Sequence, residues 1–235
     1  MPLVKPAPVG NSLLSVLPSE DRRRFLAACE PVELSYSEVL AKPGERIRHA
    51  YFPTGSFISV IMPIEGHAGL EVGLVGNEGM LGMSLALGVD VSRLSAVVQG
   101  AGSALRMQAA PFRRELDRSL ALQRVLRRYV HVFIGQLAQT VACTRFHVVE
   151  SRLARWLLMT QDRAHSEAFH VTHESLACML GVRRVGITKA ATSLQRRKLI
   201  RYHRGDVTIV DRPGLQAACC ACYEADRAAY QRTMG

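Results

Sequence analysis

The chain has 235 residues, 48% of them hydrophobic and 21% charged, which suits two small domains with buried cores and excludes a disordered or fibrous protein. The formal net charge of +10 is unevenly placed: residues 1–111 hold 9 Lys/Arg against 10 Asp/Glu, and residues 112–235 hold 21 against 10. One half therefore meets a polyanion while the other does something else.

No apolar run reaches the roughly 18–20 residues a bilayer crossing needs. An anionic membrane surface would require a basic amphipathic helix, so no membrane partner is expected. The first residues, MPLVKPAPVGNS, read as a loose Pro-rich tail without the order of a signal peptide. A cytoplasmic location is expected, with the six cysteines as thiols rather than bridges.

Ser19 is placed to cap a short helix reaching about Cys29. From about Pro31 to Pro111, short apolar runs alternate with turn signals. Val32/Leu34, Phe57–Ile61, Leu70/Val72/Leu74, Ala96/Val98 and Leu105/Met107 read as strands. Lys42-Pro43-Gly44-Glu45, Pro53-Thr54-Gly55, Glu65-Gly66-His67, Gly76-Asn77 and Gly100-Ala101-Gly102 read as turns. That pattern predicts a β-sandwich or β-roll. Between Phe112 and Phe146 there is no proline and one glycine, Gly135. Leu122, Leu126, Tyr129, Phe133, Gln136 and Thr140 recur at steps of three and four, widened by Val125, Val132 and Leu137. One long helix is predicted, either packed on its own domain or paired with its twin in a homodimer. A second helix follows from about Val148 to Arg163, burying Leu153, Trp156, Leu157 and Met159.

The strongest signal lies between Thr172 and Arg212. Thr172 caps a helix carrying Leu176, Ala177 and Leu180, and Gly181 ends it as a left-handed residue. A new helix runs from about Arg183 to Lys198, with Ile187 and Ala190 facing the first. Ile200/Tyr202, the turn Arg204-Gly205-Asp206, and Val207/Ile209 form a hairpin. Helix-turn-helix plus hairpin is a winged DNA-binding unit, and residues 172–204 carry eight Lys/Arg against one acid, Glu174. Arg183, Arg184, Thr188 and Lys189 lie on the exposed side at the end that reaches base edges in the major groove. Arg196, Arg197, Lys198, Arg201 and Arg204, together with the cap at Thr172, suit phosphates. Double-stranded DNA is the expected partner.

A β-roll with a Gly-rich cassette, a long helix and a C-terminal winged helix-turn-helix, in that order, resembles the CRP/FNR transcription regulators over about Leu13 to Leu215. The resemblance implies an α+β chain of four parts: a jelly-roll-like double-stranded β-helix or β-roll sensor (13–111), a dimerisation helix (112–146), a winged helix-turn-helix (147–218) and a helical tail (219–235). It implies base reading by the positions matching Arg184, Val185 and Lys189, with Val185 standing where an acidic residue is frequent. RNA polymerase stands as a further partner. In cyclic-nucleotide-binding members the cassette carries Gly-Glu and then Arg-Ser/Thr-Ala, the Glu for the ribose 2′-hydroxyl and the Arg for the cyclic phosphate. Here the stretch from Gly76 shows Gly82-Met83 and Leu94-Ser95-Ala96, so both charged contacts are replaced. Arg93 is one residue early, which in a strand points it to the opposite face; a rearranged site from Glu78 and Arg93 is the alternative. Cyclic AMP is thus disfavoured and no cofactor is expected.

The N-terminal cysteine pattern of the iron–sulfur branch is absent, with Cys29 alone near that end. Cys219, Cys220 and Cys222 crowd the C-terminus, with 219 and 222 expected on one helical face. Small core residues are the commoner use of such thiols, and His165, His170 and His173 read as solvated or capping, so no metal is expected. A redox or metal sensor built on those thiols, and a ligand-binding module with secondary DNA binding, are the alternative functions. No Walker loop, Ser/His/Asp arrangement or carboxylate pair points to an enzyme.

Overall fold

The computed structural model describes residues 10–235, apart from the side chains of 67 and 68. The first nine residues of the expected Pro-rich tail lie outside this range.

A one-turn helix α1 (Ser12–Ser15) is held by Asn11, whose side chain accepts from Leu14 N–H and donates to the carbonyls of Pro53 and Gly79. Helix α2 (Ser19–Ala27) starts one residue earlier than a cap at Ser19 implies. Pro18 occupies the cap position, Ser19 is already helical, and no side chain caps this end. The strands that follow are β1 (Glu30–Leu34), β2 (Val39–Ala41), β3 (His49–Pro53), β4 (Phe57–Ile64), β5 (His67–Val75), β6 (Ser95–Gly100) and β7 (Gly102–Gln108). They form two antiparallel sheets, ordered β1-β7-β3 and β2-β6-β4-β5. Between them lie Phe52, Ile58, Val75, Met80, Leu85, Val98 and Met107, all buried, and Phe25 stands edge-on to Phe52 at 5.2 Å. β2 and β3 went unread because neither is a clear alternation: Val39 is exposed, while Ala50 to Pro53 are buried in succession.

The predicted helix from 112 to 146 is two helices, α3 (Ala109–Arg118) and α4 (Leu120–Phe146). Ser119 is extended (φ −118°, ψ 105°), and its hydroxyl accepts from Leu122 N–H at 3.0 Å, capping α4. The dimer seam placed on α4 is also corrected. Leu122, Leu126, Tyr129 and Phe133 are only 1–5% exposed because they close the roll of their own chain. Gln136 lies beside Gly73, and Thr140 beside Arg155, on the same inward side. The roll supplies apolar surface in the same chain, so this stripe is already covered. A second three–four stripe on α4 is exposed: Arg127, His131, Ile134, Ala138, Val141 and Arg145.

Helix α5 (Val149–Ala164) opens the C-terminal domain and buries Leu153, Trp156, Leu157 and Met159 as expected. Then come β8 (Ala168–His170), α6 (His173–Leu180), α7 (Arg184–Arg196), β9 (Ile200–His203), β10 (Asp206–Ile209), α8 (Arg212–Ala218) and α9 (Cys222–Met234). Cys219 follows α8 and Cys222 opens α9, so the two do not share a helical face. All six cysteines are free thiols. Helix α9 packs along α4 and returns to the roll: Tyr230 donates its hydroxyl proton to the Glu78 carbonyl at 2.8 Å, and Met234 joins the roll core. Among the described residues no helix is long and apolar enough to cross a membrane.

Because Leu126 belongs to the roll's own core, Leu126→Ala leaves a cavity inside one chain. It is expected to lower unfolding stability by about 2–5 kcal/mol in denaturant titrations without changing the oligomeric state measured by sedimentation.

Candidate nucleic-acid interface

Helix α6 begins at Thr172, whose hydroxyl accepts from Ser175 N–H at 3.1 Å. It ends at Gly181 with φ +61°, where the Val182 N–H returns to the Ala177 carbonyl at 3.0 Å. Leu176, Ala177 and Leu180 are buried there, and α7 meets them with Ile187, Ala190, Ala191 and Leu194. That buried face fixes the opposite one. Arg184, Val185, Thr188 and Lys189 are all exposed along the first two turns of α7, with Arg183 just ahead of them. Arg183 is the N-cap residue and makes no side-chain cap bond. Thr192 and Arg196 continue the same exposed face. Thr192 was missed by the sequence reading, although its position four residues after Thr188 marks it.

Two of these side chains are constrained. The Thr188 hydroxyl donates to the Arg184 carbonyl at 3.2 Å and lies 3.1 Å from His173 Nδ1. His173 stacks on Tyr202 with centroids 4.5 Å apart. Burial, and then the Arg184 charge, push its pKa below the ordinary value, which favours the neutral imidazole. Tyr202 donates its hydroxyl proton to the Val171 carbonyl at 2.5 Å, locking this platform to the wing.

The wing is a three-stranded sheet, ordered β8-β10-β9, one strand more than the expected hairpin. Its turn places Arg204 and Gly205 at φ +50° and +95°, the two positive values of a type I′ hairpin. Asp206 is 2.8 Å from His170 Nδ1 beside it. Lys198, Arg201 and Arg204 are exposed on this side. Arg197 differs from them: it pairs with Glu150 of α5 at 2.9 Å, so its guanidinium already has a carboxylate partner.

The cassette carries no cluster of charges. Met83 and Leu94 are half-buried against the roll core, and Ser95 opens β6. Gly82 (φ +91°) turns the chain into a short 3-10 helix at Met83–Leu87. Arg93 is exposed, and Glu78 is engaged elsewhere: Arg163 of α5 holds its carboxylate at 2.7 Å, and Gly76 N–H donates to the same group at 3.3 Å. The alternative Glu78–Arg93 site is therefore not formed. A cavity of about 590 Å³ does open near Glu78, but it lies between α4, α5 and α9, and Gly82, Met83 and Leu94 do not line it.

The roll and the C-terminal domain meet through buried polar contacts the sequence did not announce. Glu71 on β5 accepts from Ser59 Oγ at 2.5 Å and from the Trp156 indole N–H at 2.8 Å. Burial pushes its carboxyl up to about 7, while the two hydrogen bonds pull the other way. Arg155 of α5 reaches Asp226 of α9 at 2.7 Å.

Residues 151–218 match the Crp-like helix-turn-helix domain. Beyond that domain, most of the chain shares its fold with solved structures. FixK2 from Bradyrhizobium japonicum is 12% identical with a TM-score of 0.69, covering 82% of this chain and 98% of its own. The c-di-GMP-responsive global regulator CLP from Xanthomonas campestris is 16% identical with a TM-score of 0.66, covering 82% and 99%. A CRP/FNR-family transcriptional regulator from Thermus thermophilus is 19% identical with a TM-score of 0.64, covering 83% and 98%. Residues 151–218 thus form a Crp-like helix-turn-helix domain within a chain that shares the fold of these solved regulators. Comparison with curated proteins returned no significant sequence match. Within this helix-turn-helix domain, α7 is the helix whose charged face is turned outward.

Glu71 is expected to make the junction between the roll and α5 pH-sensitive. The folded chain keeps a proton up to about pH 7 that the unfolded chain loses near the ordinary 4.5. The stability held below pH 4.5 is therefore lost as pH rises through about 7, on the order of 3 kcal/mol in total. Glu71→Gln keeps an acceptor for Trp156 and is expected to flatten this fall. Denaturant unfolding of both proteins between pH 4.5 and 8 measures the difference.

Proposed function

We propose that the chain is a homodimer that reads an inverted-repeat operator with the exposed face of α7, and that it does so without cyclic AMP. The observation carrying this reading is the one-sided burial of α7, which leaves Arg184, Val185, Thr188 and Lys189 together on a cationic surface. Arg184 suits the O6 and N7 acceptors of guanine, and Lys189, one turn on, a second base edge. With its hydroxyl engaged inside the protein, Thr188 is suited to apolar contact with a thymine methyl. Lys198, Arg201 and Arg204 flank this face as phosphate contacts, with the wing turn carrying Arg204 outward.

The dimer seam moves to the outward stripe of α4. Ile134 and Val141 are 59% and 69% exposed, Ala138 lies between them, and Phe146 and Val148 extend the apolar surface at 76% and 70%. Their three–four spacing is that of a two-helix seam. Two α7 helices related by its two-fold axis meet half-sites about 34 Å apart. The roll biases the angle between the two long helices, so an effector acts only through different affinity for the two arrangements. Met83 and Leu94 offer neither the carboxylate nor the guanidinium a cyclic nucleotide needs, a loss of about 1.5–3 kcal/mol at the phosphate alone. No effector is assigned.

Arg184→Ala is expected to cost about 1–3 kcal/mol on the specific operator and to relax preference at one base position. Arg204→Ala should weaken specific and random DNA alike and reduce the salt slope by about 1. Competition titrations at several salt concentrations distinguish the two, and identical behaviour of the variants contradicts the assignment of the reading face. Val141→Glu should shift sedimentation toward the monomer and, with it, reduce operator affinity while leaving the fold intact.

A further inference from the structure

Four side chains from two crossings of the chain converge at the joint between the domains. Cys143 sits in the last turn of α4, and His147 is the residue that caps that helix, one turn on. Cys220 and Cys222 lie where α8 gives way to α9. One ligand atom from each lies within 4.8 Å of all the others, with the three thiols buried and the imidazole half-buried. The chain thus enters the DNA-binding domain past one pair and leaves it past the other.

The spacings discriminate between the chemistries such a cluster can support. Cys143 and Cys220 Sγ are 3.6 Å apart, and Cys222 Sγ is 3.5 Å from His147 Nδ1. A tetrahedral zinc ion with Zn–S near 2.3 Å and Zn–N near 2.0–2.1 Å separates two of its sulfurs by about 3.8 Å, and a sulfur from a nitrogen by about 3.5–3.6 Å. A disulfide needs its sulfurs at about 2.05 Å. Supporting groups are in place around the cluster. Gln139, one turn before Cys143, donates its amide to Cys222 Sγ at 2.9 Å. Arg155 is buried within electrostatic reach of Cys143 and Cys222. Three thiolates with a divalent cation leave one net negative charge; Arg155 is already paired with Asp226, and the buried Arg152 guanidinium, within electrostatic reach of Cys143 and Cys220, offsets it.

We propose that Cys143, His147, Cys220 and Cys222 form a closed Cys3His site for a thiophilic divalent cation, zinc foremost, that pins both chain crossings at the domain joint. On binding, each thiol gives its proton to solvent, and its sulfur donates an electron pair to the metal. The imidazole donates through Nδ1, and nothing is oxidised or reduced. Four protein ligands leave no open position, so the site is structural rather than catalytic. That it sets the pose of the DNA-reading helix rests on the function proposed above; the metal site itself does not.

The test uses the full chain, stripped by a chelator under anaerobic reducing conditions and titrated with Co²⁺ and then Zn²⁺, with no DNA present. The expected result is one tightly bound cobalt per chain with intense tetrahedral d–d bands and thiolate charge transfer, displaced by zinc, and a higher Tm in the metal-bound protein. Cys222→Ser is expected to lose the tetrahedral signature, Cys219→Ser to keep it, and Gln139→Ala to weaken affinity about 10–100-fold. An octahedral cobalt spectrum in the wild type, equal effects of Cys219→Ser and Cys222→Ser, or a metal-free chain carrying a Cys143–Cys220 disulfide overturns the proposal. Should Cys222→Ser fail to fold, the wild-type spectrum and Cys219→Ser decide. Because the titration contains no DNA, its failure is separable from a failure of DNA reading.

Discussion

Tyr129 and Phe133 close on two glycines of the roll, and much of the molecule is arranged around that contact. A Cβ at Gly79 would stand 2.1 Å from the Tyr129 hydroxyl, and one at Gly73 would stand 2.9 Å from the Phe133 ring. Tyr129 also donates to the Met80 carbonyl at 3.3 Å. These two glycines thus make room for aromatic rings from α4. Once this stripe of α4 is committed inward, the stripe bearing Ile134 and Val141 is left facing out, and the helix end bearing Cys143 is carried to the domain joint.

The joint itself is polar where it is buried. Glu71 meets Trp156, Glu78 meets Arg163, and Arg155 meets Asp226, so α5 is tied to β5, to the turn after it and to α9. Buried charged pairs are poor sources of net stability, yet losing one partner is costly, which favours a definite arrangement. Gly181, the turn between α6 and α7, approaches Leu70 of β5 so closely that a Cβ there would lie 2.8 Å from its methyl group. Helix α7 is therefore coupled to the roll through the end of α6 as well as through α5.

Helix α7 was legible because its two faces obey separate rules. Ile187, Ala190 and Leu194 keep helical spacing, Gly181 has one conformational purpose, and the charges fall on what remains. α4 misled for an instructive reason: its inward stripe is the more apolar of the two, and periodicity reports burial without naming the partner. The break at Ser119 was hidden because serine neither forbids helix nor lacks a helical neighbour. Only half of the Cys3His cluster was legible: Cys220 and Cys222 stand out in the sequence, but Cys143 lies 77 positions from Cys220 and only the return of α9 along α4 brings them together. Glu78 had a visible neighbour in Arg93, yet its partner proved to be Arg163, 85 positions away.

Selection of bound sequences from random double-stranded DNA tests the central claim most directly. The geometry predicts a recovered inverted repeat whose half-site centres are one helical turn apart, about 10–10.5 base pairs. Recovery of a single unpaired half-site, or of no recurring sequence at all, would contradict a two-fold regulator that reads DNA with α7.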